Sequence, residues 1–289
     1  MNVSESVAKS LDFLDGERRV TRSRKILRKW VENKGATFGL IMVLCVIISG
    51  TCAPYLAPYD PIAQDVEKRL LPPVGQAGSD SRYLLGTDHL GRDIVSRLIY
   101  GSRISLVVSI SAVAFSGVLG TLIGLLSGFY GGKVDSIFMR LADVQLAFPF
   151  ILLAIAIIAV LGPNLQNIII VMGVTGWVIY ARVVRAEVLS LREKEYITAI
   201  RALGGSNARI IFKHLFPNVV PACIVIVTLE LARMIIMEAA LSFLGLGIQP
   251  PTPTWGGMLA DGRVLLIGGE YNTGTPPTSL PPLPAFPSS

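Results

Sequence analysis

The three longest stretches of this chain without a charged side chain all reach or exceed a bilayer crossing: residues 35–59, 104–132 and 144–181. About twenty consecutive apolar residues span the hydrocarbon as a helix. The first run supplies a helix over 36–53 that ends before Pro54 and Pro58, because proline lacks the N–H a helix interior needs. The second supplies a helix over 104–130. The third is nearly twice the length of one span, and Gly162-Pro163-Asn164 divides it as a turn, giving spans over 144–161 and 167–181. A last apolar stretch, 219–246, reads as a fifth span although Glu230, Arg233 and Glu238 lie within it.

Composition agrees. Apolar residues make up 52 % and charged residues 16 %, against about 25 % charged in ordinary soluble domains, and the mean hydropathy is +0.59. The expected fold is all-α: a polytopic helical bundle in the membrane with a helical coupling loop on the cytoplasmic side. The formal charge of +6 raises the question of nucleic acid, and the placement of the basic residues answers it. Lys9, Arg18, Arg19, Arg22, Arg24, Lys25, Arg28, Lys29 and Lys34 fall before the first span, while Arg182, Arg185, Arg192, Lys194, Arg201, Arg209 and Lys213 follow the fourth. Basic runs that flank apolar spans mark retained cytoplasmic segments. Trp30 is thin aromatic support within the first group, so a nucleic-acid face is not indicated and no nucleic acid is expected as a partner.

With the amino terminus inside, the 54–103 loop is external and the 182–218 loop internal. The external loop is rich in Pro and Gly and holds six acidic and six basic side chains between Asp60 and Arg103. Three regions follow: a basic cytoplasmic tail over 1–35, a transmembrane domain over 36–266 and a low-complexity Pro-rich tail over 267–289. The first residues lack an apolar core, so the first span is expected to act as an uncleaved anchor. Cys45, Cys52 and Cys223 lie in or beside apolar runs and read as small buried hydrophobes, and His89 and His214 are too isolated for a ligand set.

Gly120, Gly124 and Gly128 recur every four residues on the second span, which bares one face for the close approach of another helix. No phosphate-binding loop is present: around Gly132-Lys133 the pattern fails, with Ser127 where glycine is needed and Val134 where Ser or Thr is needed. No catalytic residue, metal or cofactor is expected. If the chain moves a solute uphill, the energy must come from a partner or an ion gradient.

The inner loop EKEYITAIRALGGSNARIIFKHLFPN, residues 193–218, predicts a helix over 193–203, a turn at Gly204, and a second helix capped by Ser206 and stopped by Pro217. Ala199 and Ala202 keep the first helix slim; Ile210, Ile211 and Leu215 give the second an apolar face. Two readings stay open on the residues alone: an element that fits a groove on another protein, or an amphipathic loop on the lipid surface.

This segment resembles the cytoplasmic coupling loop of ABC importer permeases, whose pattern runs E-A-A, three residues, Gly, nine residues, I-x-L-P. Gly204, Pro217 and Ala199 take pattern positions, while Thr198, Ile200, His214 and Phe216 depart from it. The Ala202-Leu203-Gly204 and His214-Leu215-Phe216-Pro217-Asn218 versions resemble the peptide/nickel branch. So do LGTDHLGRDIVSRLIYGSRISL from Leu85, GGKVDSIFMRLADVQLAFPF from Gly131 and LSFLGLGIQPPTPTWGGML from Leu241. The resemblance implies a multi-pass permease subunit of the bacterial inner membrane that imports peptides, working with two ATP-binding subunits, a second homologous permease and a periplasmic or extracellular solute-binding protein. It implies contact with the ATPase subunits through Thr198, Ala199, Gly204, His214 and Pro217. It also implies a sixth span after W-G-x-M-L, where this sequence turns Pro-rich beyond Leu266, as a truncated or frame-altered carboxyl end would.

Glu230 and Arg233 stand three apart on one helical face and can pair, which lowers a cost of about 2.5–3.5 kcal/mol per charge at a helix centre. With Glu238 they either line the solute path or form an interior structural set. Asp135, Arg140 and Asp143 match the resembled motif and are expected to pin inner helix ends. The rival functions are an ion-coupled secondary transporter, an inactive remnant and a channel.

Overall fold

The run that begins at Ile104 becomes the middle of a much longer helix. In the computed structural model, which describes residues 33–268, this helix spans Ile94–Tyr130 and is 37 residues long, about 55 Å at 1.5 Å per residue. It starts ten residues before the apolar run because Asp93 caps it: the carboxylate accepts from the Ser96 amide at 2.8 Å and the Ser96 hydroxyl at 2.6 Å. Its first turns therefore precede the charge-free run.

In chain order the helices are α1 Lys34–Thr51, α2 Ile94–Tyr130, α3 Gly132–Leu146, α4 Phe150–Leu161, α5 Leu165–Arg192, α6 Glu195–Ala202, α7 Phe216–Phe243 and α8 Trp255–Gly268. No strand occurs among the described residues, and the fold is an all-α polytopic bundle. By length and composition four helical segments can cross a membrane, and a fifth crossing follows if the bent pair α3 and α4 acts as one span. Residues 1–32 and 269–289 lie outside the described residues, and with them most of the basic amino-terminal tail and the Pro-rich carboxyl tail.

The centre of the bundle is the crossing of α2 and α5. A Cβ on Gly120 would come within 2.3 Å of the Trp177 carbonyl, and one on Gly124 within 2.7 Å of the Ala181 carbonyl. The glycine stripe thus lets two backbones touch at a distance that no side chain allows. Val108, Ala112, Ile158, Ile168 and Met172 form the core on one side of this crossing, toward the start of α2, while Leu125, Phe129, Val184 and Val188 form it on the other, toward the end of α2.

Three further expected boundaries differ. The span expected over 144–161 is divided between α3 and α4, whose axes bend by 92°. Pro149 accounts for the bend, because it supplies no N–H and disfavours helical backbone at Phe148. The helix expected to stop at Pro217 does not stop: Asn207–Arg209, a π-helical stretch Ile210–Leu215 and α7 run on continuously. The wider π turns supply a register in which the missing Pro217 N–H is absorbed. The fourth span also extends beyond the expected end at 181, carrying Arg182, Arg185 and Arg192 on the same rigid helix.

Candidate functional site

The inner segment is built as a slim helix, a turn and an anchored second helix. α6 ends in a turn in which the Gly204 amide donates to the Arg201 carbonyl at 3.0 Å and the Gly205 amide to the Ile200 carbonyl at 2.9 Å. Gly204 has φ +78, the left-handed region that glycine enters without penalty. The Ser206 hydroxyl accepts from the Arg209 amide and so caps the next turn, as its position predicts.

One expectation is corrected here. Ile210, Ile211 and Leu215 do not offer an apolar face to a partner: all three are buried with Ile197 against Leu125, Phe129, Val184, Val188 and Val219. The chain uses that face to seat the segment on the inner ends of α2 and α5. Tyr196, Phe212 and Phe216 remain outward. Thr198, Ala199, Gly204 and Pro217 are exposed and His214 is half-buried, while Leu203, at the tip of the turn, is 87 % exposed. The five residues named from the sequence thus sit in one segment, but His214 and Pro217 lie beyond the turn, on the continuous helix into α7.

Ion pairs fix the platform beneath. The Arg185 Nη2 donates to Asp135 Oδ2 at 2.6 Å, the Ser127 hydroxyl also donates to Asp135, and Arg182 pairs with Asp143. Arg192 donates to the Gly128 carbonyl at 3.1 Å. Asp135 and Asp143 therefore join α3 to the inner part of α5, as expected of them. Arg140 lines the same cleft without an ion pair of its own among the described residues.

Within the membrane Glu230 and Arg233 pair as their spacing predicts: Nη2 and Nε of Arg233 both donate to Glu230 Oε2, at 2.7 and 3.1 Å. Glu238 belongs to a separate arrangement. It is fully buried and accepts from the Ser105 hydroxyl at 2.7 Å and the Ser242 hydroxyl at 2.8 Å, which ties α7 to α2.

A fourth cluster, on the outer side, was not assigned a role from the sequence. Asp88 Oδ2 accepts from Arg92 Nε at 2.7 Å and pairs with Arg97, and both guanidiniums approach Asp261 of α8, at 3.7 and 3.5 Å. Asp88, Arg92 and Arg97 are buried. Burial alone would push the Asp88 carboxyl up, but the Arg92 and Leu90 amides, the Arg92 side chain and the Arg97 charge outweigh it and hold the carboxyl below its ordinary value. The tight turn around it needs Gly86 and Gly91, each with positive φ. A Cβ on Gly91 would lie 1.8 Å from the Asp65 carbonyl oxygen. The legible signal was the T-D-H-L-G-R-D string, with an acid and a base four apart.

Residues 120–269 match the family described as binding-protein-dependent transport system inner membrane component, and residues 21–73 match the N-terminal TM domain of oligopeptide transport permease C. The di/tripeptide transport system permease protein DppC of Pseudomonas aeruginosa is 43 % identical over 240 residues, 83 % of this chain and 79 % of that protein. The dipeptide transport system permease protein DppC of Haemophilus influenzae is 41 % identical over 240 residues, covering 83 % and 81 %. The oligopeptide transport system permease protein OppC of Bacillus subtilis is 38 % identical over 247 residues, covering 83 % and 79 %.

Proposed function

This chain belongs to the family of binding-protein-dependent transport system inner membrane components, and from that premise we propose that it contributes half of a peptide-conducting passage and takes its energy from partner ATPases through residues 193–218. It is a multi-pass protein of the bacterial inner membrane and a permease subunit of a peptide-importing ABC system. The partners are two ATP-binding subunits, a second homologous permease and a solute-binding protein on the outer side.

The observation that carries the coupling role is the division of labour within the inner segment. Ile197, Ile210, Ile211 and Leu215 are spent on the chain's own core, so the segment is held as a rigid projection, and it still exposes Tyr196, Leu203 and Phe212. A pre-ordered projection with exposed apolar side chains loses little conformational freedom on docking and suits a groove on a cytoplasmic partner. Thr198 and Ala199 approach from one side of the turn; His214 and Pro217 support it from the other. The transmembrane domain over 36–266 is the unit that assembles, with the 54–103 loop outside and the 182–218 loop inside. The ion-coupled reading has less to stand on, since Glu230 is committed to Arg233 and Glu238 to two serines.

The test is reconstitution of the full assembly in vesicles with dialanine as cargo. Uptake should require ATP and both ATPase subunits, and the isolated chain should hydrolyse no ATP. Uptake driven by a proton gradient without the ATPases would overturn the proposal.

A further inference from the structure

Two features of this chain are poorly suited to face lipid, and they meet. The first is Arg233, whose side chain is 39 % exposed although its partner Glu230 is 3 % exposed. The second is the break between α3 and α4, where Ala147, Phe148 and Pro149 leave non-helical backbone exposed and Phe148 is 56 % exposed. They lie side by side: the Arg233 guanidinium is 5.9 Å from the centroid of the Phe150 ring, the first residue of α4.

Irregular backbone at membrane depth persists only where protein buries it or where it lines a water-filled cavity. A guanidinium there needs acceptors. Glu230 takes one edge through Nη2 and Nε, and Nη1 makes no hydrogen bond among the described residues. The pair is a buried dipole with its negative end sealed inside the bundle and its positive end presented outward. No second acid is needed to neutralise it, so what the open edge lacks is an acceptor and not a structural counter-charge.

We propose that Arg233 and the break before α4 line the hydrated passage, and that the open guanidinium edge binds the carboxylate end of the solute in transit. This rests on the reading of the protein as a peptide permease, since peptides bring a carboxylate. Arg233 favours carboxylate because the planar fork matches two oxygens, whereas an ammonium group would meet its positive end.

The experiment uses the assembled complex in inside-out vesicles, with Cys45, Cys52 and Cys223 replaced by serine. Phe148→Cys places a thiol at the break without touching the ion pair. Membrane-impermeant methanethiosulfonates carrying either a sulfonate or a trimethylammonium group are then compared. The thiol should react with both, and the sulfonate reagent should hold a several-fold rate advantage that Arg233→Gln abolishes while Arg233→Lys keeps. Arg233→Gln should also raise the KM for dialanine uptake about tenfold or more, as loss of a charge-assisted contact does, with the complex still assembled. A thiol inert to both reagents means that protein or lipid covers the break; a rate ratio indifferent to Arg233 means that it does not set the local potential. Either result overturns the proposal. Failure of the unsubstituted complex to take up dialanine would instead count against the peptide reading.

Discussion

Replacing Asp88 by Asn should loosen the outer loop selectively and by a large factor. The substitution keeps the size of the side chain and the oxygen that accepts from the Leu90 and Arg92 amides, and replaces the charged oxygen that takes both guanidiniums by an amide donor. Arg92 and Arg97 are then left buried with Asp261 as their one remaining anion, and Asp261 is 37 % exposed with contacts of 3.5 and 3.7 Å. Removing one member of a buried ion pair costs about 3–5 kcal/mol, because the other charge stays buried without compensation. Asp261→Asn removes a partly solvated contact and should cost about 1 kcal/mol or less. The readout is hydrogen exchange on the chain in lipid nanodiscs, at the amides that the loop protects: Leu70, which donates to the Asp88 carbonyl at 3.0 Å, and Asp88, which donates to the Arg92 carbonyl at 3.0 Å. A difference of about 3 kcal/mol raises their opening constant by about two orders of magnitude, while amides of α5 stay unchanged. The pH dependence has a defined sign. Because the folded Asp88 carboxyl titrates below its ordinary value, its contribution is fully present above about pH 3.9 and is lost as the pH falls through the lower folded value. Asp88→Asn should abolish that acid limb. A change in exchange below about threefold, or an equal effect from Asp261→Asn, would refute the reasoning.

Gly204→Val forces a β-branched residue into φ +78, a position with open space around it, so the strain is about 1–3 kcal/mol of backbone energy without a clash; ATPase association and uptake should fall while membrane insertion is kept, and normal binding and uptake would remove the coupling role. Gly124→Leu drives a side chain into the Ala181 carbonyl and Val184 and should cost about 1–3 kcal/mol or more in thermal unfolding, whereas Gly39→Leu on α1, which meets nothing within 4 Å, should be silent. Glu238→Gln should stay within about 1 kcal/mol of the parent because both serines keep a partner, and Glu238→Leu should lose about 1–3 kcal/mol through two stranded hydroxyls; equal unfolding temperatures for the two variants would argue against the serine contacts.

The parts of this fold that were legible in the sequence share one property: a local pattern with a single physical solution. The apolar runs at 35–59 and 104–132 form long helices, the glycines at 120, 124 and 128 meet a neighbouring helix, and Gly204 between two helical patterns forms a turn. The parts that were not legible depend on chain segments far apart. Ile210, Ile211 and Leu215 announce an apolar face but not who covers it, and the answer lies in Phe129 and Val188 on other helices. Likewise, Asp261 stands far along the chain from the two arginines it approaches. Proline misled in both directions. Pro149 sat inside a long apolar run where hydropathy averages over it, and it breaks the helix; Pro217 reads as a stop, and the helix passes through it.

The two kinds of contact in the bundle also differ in what they allow to move. α2 and α5 touch backbone to backbone along the glycine stripe, where even a small shift meets a carbonyl. α7 is held otherwise. Met234 packs its flexible end over Gly176, where an added Cβ would lie 2.7 Å from the Met234 Cε, and Glu238 reaches Ser105 through a hydrogen bond. A methionine and a hydroxyl contact can re-form after a small sliding movement, and packed helices that shift do so by such shear. α7 is continuous with the inner segment and carries Arg233 and Glu238. Residues 207–243 thus form one unbroken helical path from the inner segment to Arg233 and Glu238. The π-helical stretch Ile210–Leu215, which is seated on α2 and α5, lies at the join with α7, and π turns inside α-helices are frequent at functional sites.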